Sequence, residues 1–192
     1  YISDCSFHHA GKNAVWARSS SINLTRTSVS DYSVVSPSGS PIELWDDCQA
    51  VITDCQFANN STAYWGGALR IKESEATITG CTFDNNHADM SGGAIWVLDG
   101  STPETVLVSN CTFSGNTAED DAGCIYISNN GSGATITDCT FSNSEADNGG
   151  VFSSTNQTEC VFANCLFYDN EASRGGVGYG LGPDFELLNC SL

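Results

Sequence analysis

The chain has 192 residues, 40% of them hydrophobic, enough to build a sizeable core. Its 23 acidic residues against 6 basic ones leave a formal charge of -17. That excludes the Lys and Arg clusters that neutralise nucleic-acid phosphate or seek anionic lipid. No apolar run approaches a membrane span, so neither a nucleic-acid partner nor membrane insertion is expected.

The chain opens on ISDCSF, Ile2–Phe7, and the same grammar then returns along its whole length. It reappears as ITDCQF (Ile52–Phe57), ITGCTF (Ile78–Phe83), VSNCTF (Val108–Phe113) and ITDCTF (Ile136–Phe141). FANCLF (Phe162–Phe167) follows, and the last copy is LLNCSL (Leu187–Leu192). LTRTSV, Leu24–Val29, fills the gap between the first two copies, with Thr27 in the cysteine position. A fixed period of this length marks a solenoid, in which each repeat buries its apolar face against its neighbours.

Each copy has an internal logic. An apolar residue opens it, and the third position is Asp, Gly or Asn in every copy except the one with Arg26. Those three types tolerate a left-handed corner. Cys, an outward polar residue and an inward Phe follow, so alternation places Ile, Cys and Phe inside. Between these motifs lies a glycine turn with a further strand: WGGALRI (Trp65–Ile71), SGGAIWV (Ser91–Val97), DAGCIYI (Asp121–Ile127), NGGVFSS (Asn148–Ser154) and RGGVGYG (Arg174–Gly180). GKNAVWA (Gly11–Ala17) and SGSPIEL (Ser38–Leu44) are its degenerate early forms. The reading is an all-β, single-stranded parallel β-helix over residues 1–192, with about seven rungs of 22–30 residues and three short strands per rung. Stacking like on like explains why one motif recurs.

The paired signals GGA[ILV] and FxxN resemble the polymorphic outer-membrane protein repeats of chlamydiae. FxxN stands here as FANN (Phe57–Asn60), FDNN (Phe83–Asn86), FSGN (Phe113–Asn116) and FYDN (Phe167–Asn170), with FSNS (Phe141–Ser144) as a variant. The resemblance covers nearly the whole chain. It implies a right-handed β-helix displayed on a cell surface, in an adhesive or structural role.

Ten cysteines suit an oxidising compartment. Cys5, Cys55, Cys81, Cys111, Cys139, Cys165 and Cys190 form a ladder, whose members either bridge adjacent rungs or fill space as buried thiols. Cys48, Cys124 and Cys160 lie off the ladder and are the better candidates for cross-rung bridges. An oxidised majority is expected. Asn-x-Ser/Thr acceptors at Asn23, Asn59, Asn60, Asn110, Asn130, Asn156 and Asn189 agree with a secreted, extracellular or cell-surface glycoprotein carrying N-linked glycans.

The chemistry-bearing candidates are few. The acidic pairs Asp46–Asp47 and Asp120–Asp121 fall on different rungs from the basic pair Arg70 and Lys72, and neither set matches a lyase or glycosidase pattern, so catalysis is not expected. His8, His9 and His87 read as poorly placed for a metal. No cofactor is expected. The acidic loops leave room for loosely held calcium, although no calcium-loop spacing is present.

Alternation on the glycine-turn strand predicts an outward column of Trp16, Glu43, Arg70, Trp96, Tyr126 and Tyr179, able to stack on sugar rings or on a neighbouring protein, or to lie under a loop. Cys5 and Cys190 sit at one phase of the repeat. That leads to the expectation of a segment or stacking unit of a longer solenoid, partnered by itself head to tail or by neighbouring chains in a fibre. The expected role is therefore structural. A glycan- or receptor-binding adhesin is the alternative, and a polysaccharide-active enzyme ranks third.

Overall fold

Each residue in the third motif position turns the chain through the left-handed region. Asp4, Arg26, Asp54, Asn110, Asp138, Asn164 and Asn189 have φ between 44° and 55°, and Gly80 has 67°. A second such corner falls two residues after each core Phe or its Val29 counterpart. It is formed by His9, Asp31, Asn59, Asn85, Gly115, Asn143 and Asp169. A third is the first glycine of each pair, Gly66, Gly92, Gly149 and Gly175, with Ala122 taking its place at φ 59°. Corners at fixed phase force the strands between them into superposed positions, and a parallel solenoid results.

The computed structural model describes residues 1–9, 11–35, 39–98, 106–128, 133–155, 159–180 and 184–192. Its strands form four parallel sheets running along the solenoid. The first sheet has eight strands, including Ser21–Thr25, Gln49–Thr53, Glu75–Thr79 and Val106–Ser109. The second has seven, including Gln56–Ala58, Thr82–Asp84 and Thr112–Ser114. The third has six, among them Ser61–Thr62, His87–Ala88, Thr117–Ala118 and Glu145–Asn148. The fourth has seven: Val15–Arg18, Ile42–Trp45, Leu69–Lys72, Ile95–Leu98, Ile125–Ser128, Phe152–Thr155 and Gly178–Gly180.

The rung therefore has four strands rather than the expected three. The additional one is mostly a two-residue piece after the Asn corner, where a small residue (Thr62, Ala88 or Ala118) turns inward. Alanine has weak strand preference and two residues show no periodicity, so only its neighbours across rungs define the element.

The core is a set of columns. Leu24, Ile52, Ile78, Val108, Ile136 and Phe162 stack in register on the first sheet, all nearly inaccessible. Phe57, Phe83, Phe113, Phe141 and Phe167 stack on the second, with ring centroids 4.7 to 5.2 Å apart and planes within 15° of each other. Strand spacing fixes that ring spacing, and parallel in-register pairing holds the rings at one rotamer.

Beside the rings runs a buried amide ladder. Asn60 Nδ2 donates to Asn86 Oδ1 at 2.9 Å, and Asn86 Nδ2 to Asn116 Oδ1 at 3.0 Å. Each Nδ2 also donates to a carbonyl one rung back, of Val29, Phe57 and Phe83 respectively. Asn170 repeats that bond to Phe141. Ser144 interrupts the ladder, and Cys124 Sγ fills the gap 3.0 Å from its hydroxyl. Cys124 stands in the column where other rungs carry Ala68, Ala94 and Val151, so one departure from the repeat compensates another.

The second glycine of each pair has a different duty. A Cβ on Gly67, Gly93, Gly123 or Gly150 would lie 2.1 to 2.4 Å from the carbonyl oxygen of the next rung's glycine. Backbone packs on backbone there, and no side chain fits.

Candidate functional site

Two outward columns cross the fourth sheet, set by the period-2 alternation of its strands. Register places Trp16, Glu43, Arg70, Trp96, Tyr126, Ser153 and Tyr179 in one, and Arg18, Trp45, Lys72, Leu98, Ser128 and Thr155 in the other. The first is the column predicted to point outward, either open to a sugar or a neighbouring protein or lying under cover, and most of it is covered. Only Trp16, 56% accessible, is open. Glu43, Arg70 and Trp96 are buried at 0%, 6% and 6%, and Tyr126 and Tyr179 are half-buried.

The cover is aromatic. The Arg70 guanidinium lies 5.0 Å from the Trp45 ring centroid, 5.1 Å from that of Trp65 and 5.0 Å from that of Trp96. Trp65 also stacks on Trp96 at 5.5 Å. Arg70 Nη1 pairs with Glu43 Oε1 at 3.5 Å, while Glu43 accepts from the Ser40 amide and from the Trp45 indole N–H at 3.2 Å. Burial raises the Glu43 carboxyl above its ordinary range, and the charge of Arg70 opposes that rise. Burial likewise lowers the Arg70 pKa, opposed by Glu43. Three indole faces thus replace the water a buried guanidinium would lose.

Next to this cage the surface opens. A depression of about 320 Å³ is lined by Trp16, Arg18, Trp45, Asp46 and Lys72. Arg18 Nε donates to Asp46 at 2.6 Å, and Lys72 Nζ sits 4.7 Å from the Trp45 centroid. All four tryptophans of the chain and three of its six basic residues gather on this one face. The second column escapes a reading that follows only one outward position per rung. Its signal was the residue two further on, Arg18, Trp45 and Lys72, which alternation puts on the same side.

The cysteine ladder is built of thiols. All ten cysteines are free, which corrects the expectation of an oxidised majority. In-register strands hold equivalent Cβ atoms about 4.8 Å apart, beyond the roughly 3.8 Å a disulfide needs. Cys55, Cys81, Cys111, Cys139 and Cys165 are buried, whereas Cys5 is exposed and Cys190 half-buried in the outermost rungs. Each ladder thiol donates to the carbonyl two residues back, as Cys55 does to Thr53 at 3.2 Å and Cys139 to Thr137 at 3.1 Å. Thr27 makes the same bond to Thr25 with its hydroxyl. The amides of Cys55, Cys81 and Cys111 donate to the sulfur one rung on, at 3.4 Å. Off the ladder, Cys48 bonds the Trp45 carbonyl. Burial pushes the Cys124 and Cys160 thiols up to about 12, far from a reactive thiolate.

Among the glycosylation candidates Asn59, Asn110 and Asn189 are exposed at corners, and Asn23 is half-buried with its Oδ1 accepting from Thr25. Asn60 is corrected: it is wholly buried in the amide ladder, so the folded chain offers no acceptor there. Asn130 and Asn156 lie outside the described residues. His87, read as poorly placed for a metal, instead lies beside Asp89 and Glu119.

A family model described as a right-handed β-helix region matches residues 1–167. Comparison with curated proteins and with solved structures gives no match. The model's span takes in both tryptophan columns' strands up to Phe152–Thr155 and all but the last copies of the repeat. With its stacked parallel sheets and left-handed corners, the chain belongs to the right-handed β-helix family.

Proposed function

We propose that this chain is a non-catalytic, cell-surface β-helix that binds neutral glycans at the open end of its tryptophan face. The observation that carries the reading is the depression of Trp16, Arg18, Trp45, Asp46 and Lys72. Trp16 offers an exposed ring on which a sugar can stack, and Trp45, which also lines the depression, packs against the buried Arg70. Arg18 and Lys72 donate and Asp46 accepts, the mixture that vicinal hydroxyls require. A charge of -17 works against a polyanionic ligand.

The resemblance to polymorphic outer-membrane repeats supports surface display, and exposed Asn59, Asn110 and Asn189 suit a glycosylated, extracellular protein. The fibre expectation rests on the phase of the repeat alone, whereas the side of the solenoid favours a ligand. Tryptophan fluorescence, titrated with a panel of neutral and uronic-acid oligosaccharides, tests this. Saturable change with at least one neutral sugar, weakened tenfold or more by Trp16→Ala, is expected. No saturable response to any sugar, or one that Trp16→Ala leaves unchanged, overturns it.

A further inference from the structure

On the third sheet, a quarter-turn of the rung away from the tryptophans, the outward positions carry ligand-type side chains. His87, Asp89 and Glu119 each present one donor atom, and these atoms lie within 4.8 Å of one another. They come from two consecutive rungs: register pairs His87 with Thr117, and the Glu119 amide donates to the Ala88 carbonyl. His87 Nε2 lies 3.1 Å from Asp89 Oδ1, while Nδ1 lies 2.8 Å from Thr117 Oγ1. A tetrahedral zinc ion with ligand bonds of about 2.1 Å sets its ligands about 3.4 Å apart. The His–Asp pair, at 3.1 Å, is close to that spacing, and the exposed Glu119 side chain lies within 4.8 Å of both.

The second ring nitrogen strengthens the case. A histidine that binds metal through one nitrogen is held by a hydrogen bond at the other, which fixes ring orientation and tautomer. Thr117 supplies that bond from the adjacent rung. With Nδ1–H donated to Thr117, the Nε2 lone pair faces Asp89, the arrangement in which a cation can lie between the two. The surroundings are also rich in carboxylates. A groove of about 560 Å³ runs on past Glu119 along Glu145, Asp147 and Glu171. Glu145 and Glu171 stand directly opposite in register, an unfavourable like-charge pair. Among the described residues no Lys or Arg forms a salt bridge with any of these carboxylates.

We infer that His87, Asp89 and Glu119 form a binding site for a first-row divalent transition ion, zinc foremost, which clips two rungs together. One imidazole and two carboxylates form a nitrogen–oxygen set that suits zinc, whereas calcium takes six to eight oxygens, so the looser calcium expectation is replaced here. Three protein ligands leave a fourth position for water.

The test is calorimetric titration with zinc ion under reducing conditions, in a His8→Gln, His9→Gln background that removes the other imidazoles. One saturable site is expected, with a melting temperature that rises with zinc. His87→Gln and Glu119→Gln should each weaken binding at least tenfold and abolish the rise, while melting like the parent without metal. A hundredfold excess of calcium should not displace zinc. Absence of saturable uptake up to millimolar zinc, variants that bind as the parent does, or displacement by calcium overturns the assignment.

Discussion

The phenylalanine side and the tryptophan side of this solenoid are built on the same rungs by opposite rules. On the first, most positions repeat their neighbours: Phe on Phe, Asn on Asn, thiol on thiol, with bond distances nearly constant from rung to rung. On the second, in-register neighbours differ in kind: Trp16, Glu43, Arg70, Trp96. Repetition is the cheapest way to close a core, because one solution serves every rung. A column that breaks repetition must satisfy each residue separately, and here it does so with a buried ion pair and three indoles. The first side makes the fold, and the second carries what is particular to single rungs.

The sharpest way to break that contrast is to remove Arg70. Arg70→Ala leaves the Glu43 carboxylate buried without its partner and empties the space between three rings, for an expected loss of about 3–5 kcal/mol. Phe113→Ala on the repeating side is expected to cost a similar amount, about 3–5 kcal/mol, by cavity formation. Rescue distinguishes them. Arg70→Met with Glu43→Gln should return stability to within about 1.5 kcal/mol of the parent in urea unfolding, since a neutral pair of like volume leaves no unpaired charge buried and the new amide oxygen keeps an acceptor for Ser40 or Trp45.

The pH dependence has a definite sign. Burial raises the Glu43 carboxyl above its unfolded value, so its protonation favours the fold, fully below the ordinary glutamate range and lost as pH rises through the folded value. Glu43→Gln should flatten that part of the profile, which begins at the ordinary carboxyl range and extends above it. Arg70→Met, which removes the opposing charge, should steepen it.

A milder break tests the backbone. Gly93→Ala places a methyl group against the carbonyl oxygen of Gly123, with no flexible side chain to yield. Overpacking of this kind costs about 1–3 kcal/mol, and backbone contact puts this site at the upper end. Gly11→Ala, where the same atom meets nothing closer than 3.8 Å, serves as control and should change stability little. Equal small gains at both would mean that glycine acts here only through the unfolded chain.

The contrast also explains what the sequence disclosed. Corners, core columns and parallel stacking were legible because each is written many times over: Asp4, Asp54 and Asn110 state one conformation that no single copy could establish. The fourth strand was not, because Ser61–Thr62 and His87–Ala88 are too short to alternate and owe their pairing to neighbours some 26 to 30 residues away. Thiols were mistaken for bridges because cysteine count reports compartment while spacing across the ladder decides geometry. The tryptophan cage was half legible. Arg70 and Trp96 lay in the column, yet Trp65 reaches it from the turn before the glycine pair, a position no periodicity assigns. His87, Asp89 and Glu119 meet only through rung stacking, which sequence separation conceals.

Ser144 and Cys124 offer a test within the repeating side itself. Ser144→Asn alone presses an amide onto a buried sulfur, and Cys124→Ala alone leaves a void beside a short side chain. Together they restore the arrangement of the neighbouring rungs, so a double-mutant cycle should show a favourable coupling of about 1 kcal/mol. Additive losses would mean that the two departures from the repeat arose independently.

The smallest effect is expected at Ala122, and it has the opposite sign. Its φ of 59° is the conformation that Gly66, Gly92, Gly149 and Gly175 adopt in the other rungs. A Cβ in the left-handed region costs about 1–2 kcal/mol, and glycine relieves it. Glycine also loses more freedom on folding, by about 0.4–1 kcal/mol relative to alanine. The difference leaves Ala122→Gly more stable than the parent by a few tenths to about 1 kcal/mol, read as a higher urea midpoint at unchanged slope. The fully buried Ala122 methyl group supplies some packing that glycine would forfeit, which sets the upper bound. A loss of stability instead would show that packing outweighs conformation at this corner, and that the rung had adapted to its alanine as it has to Ser144 and Cys124.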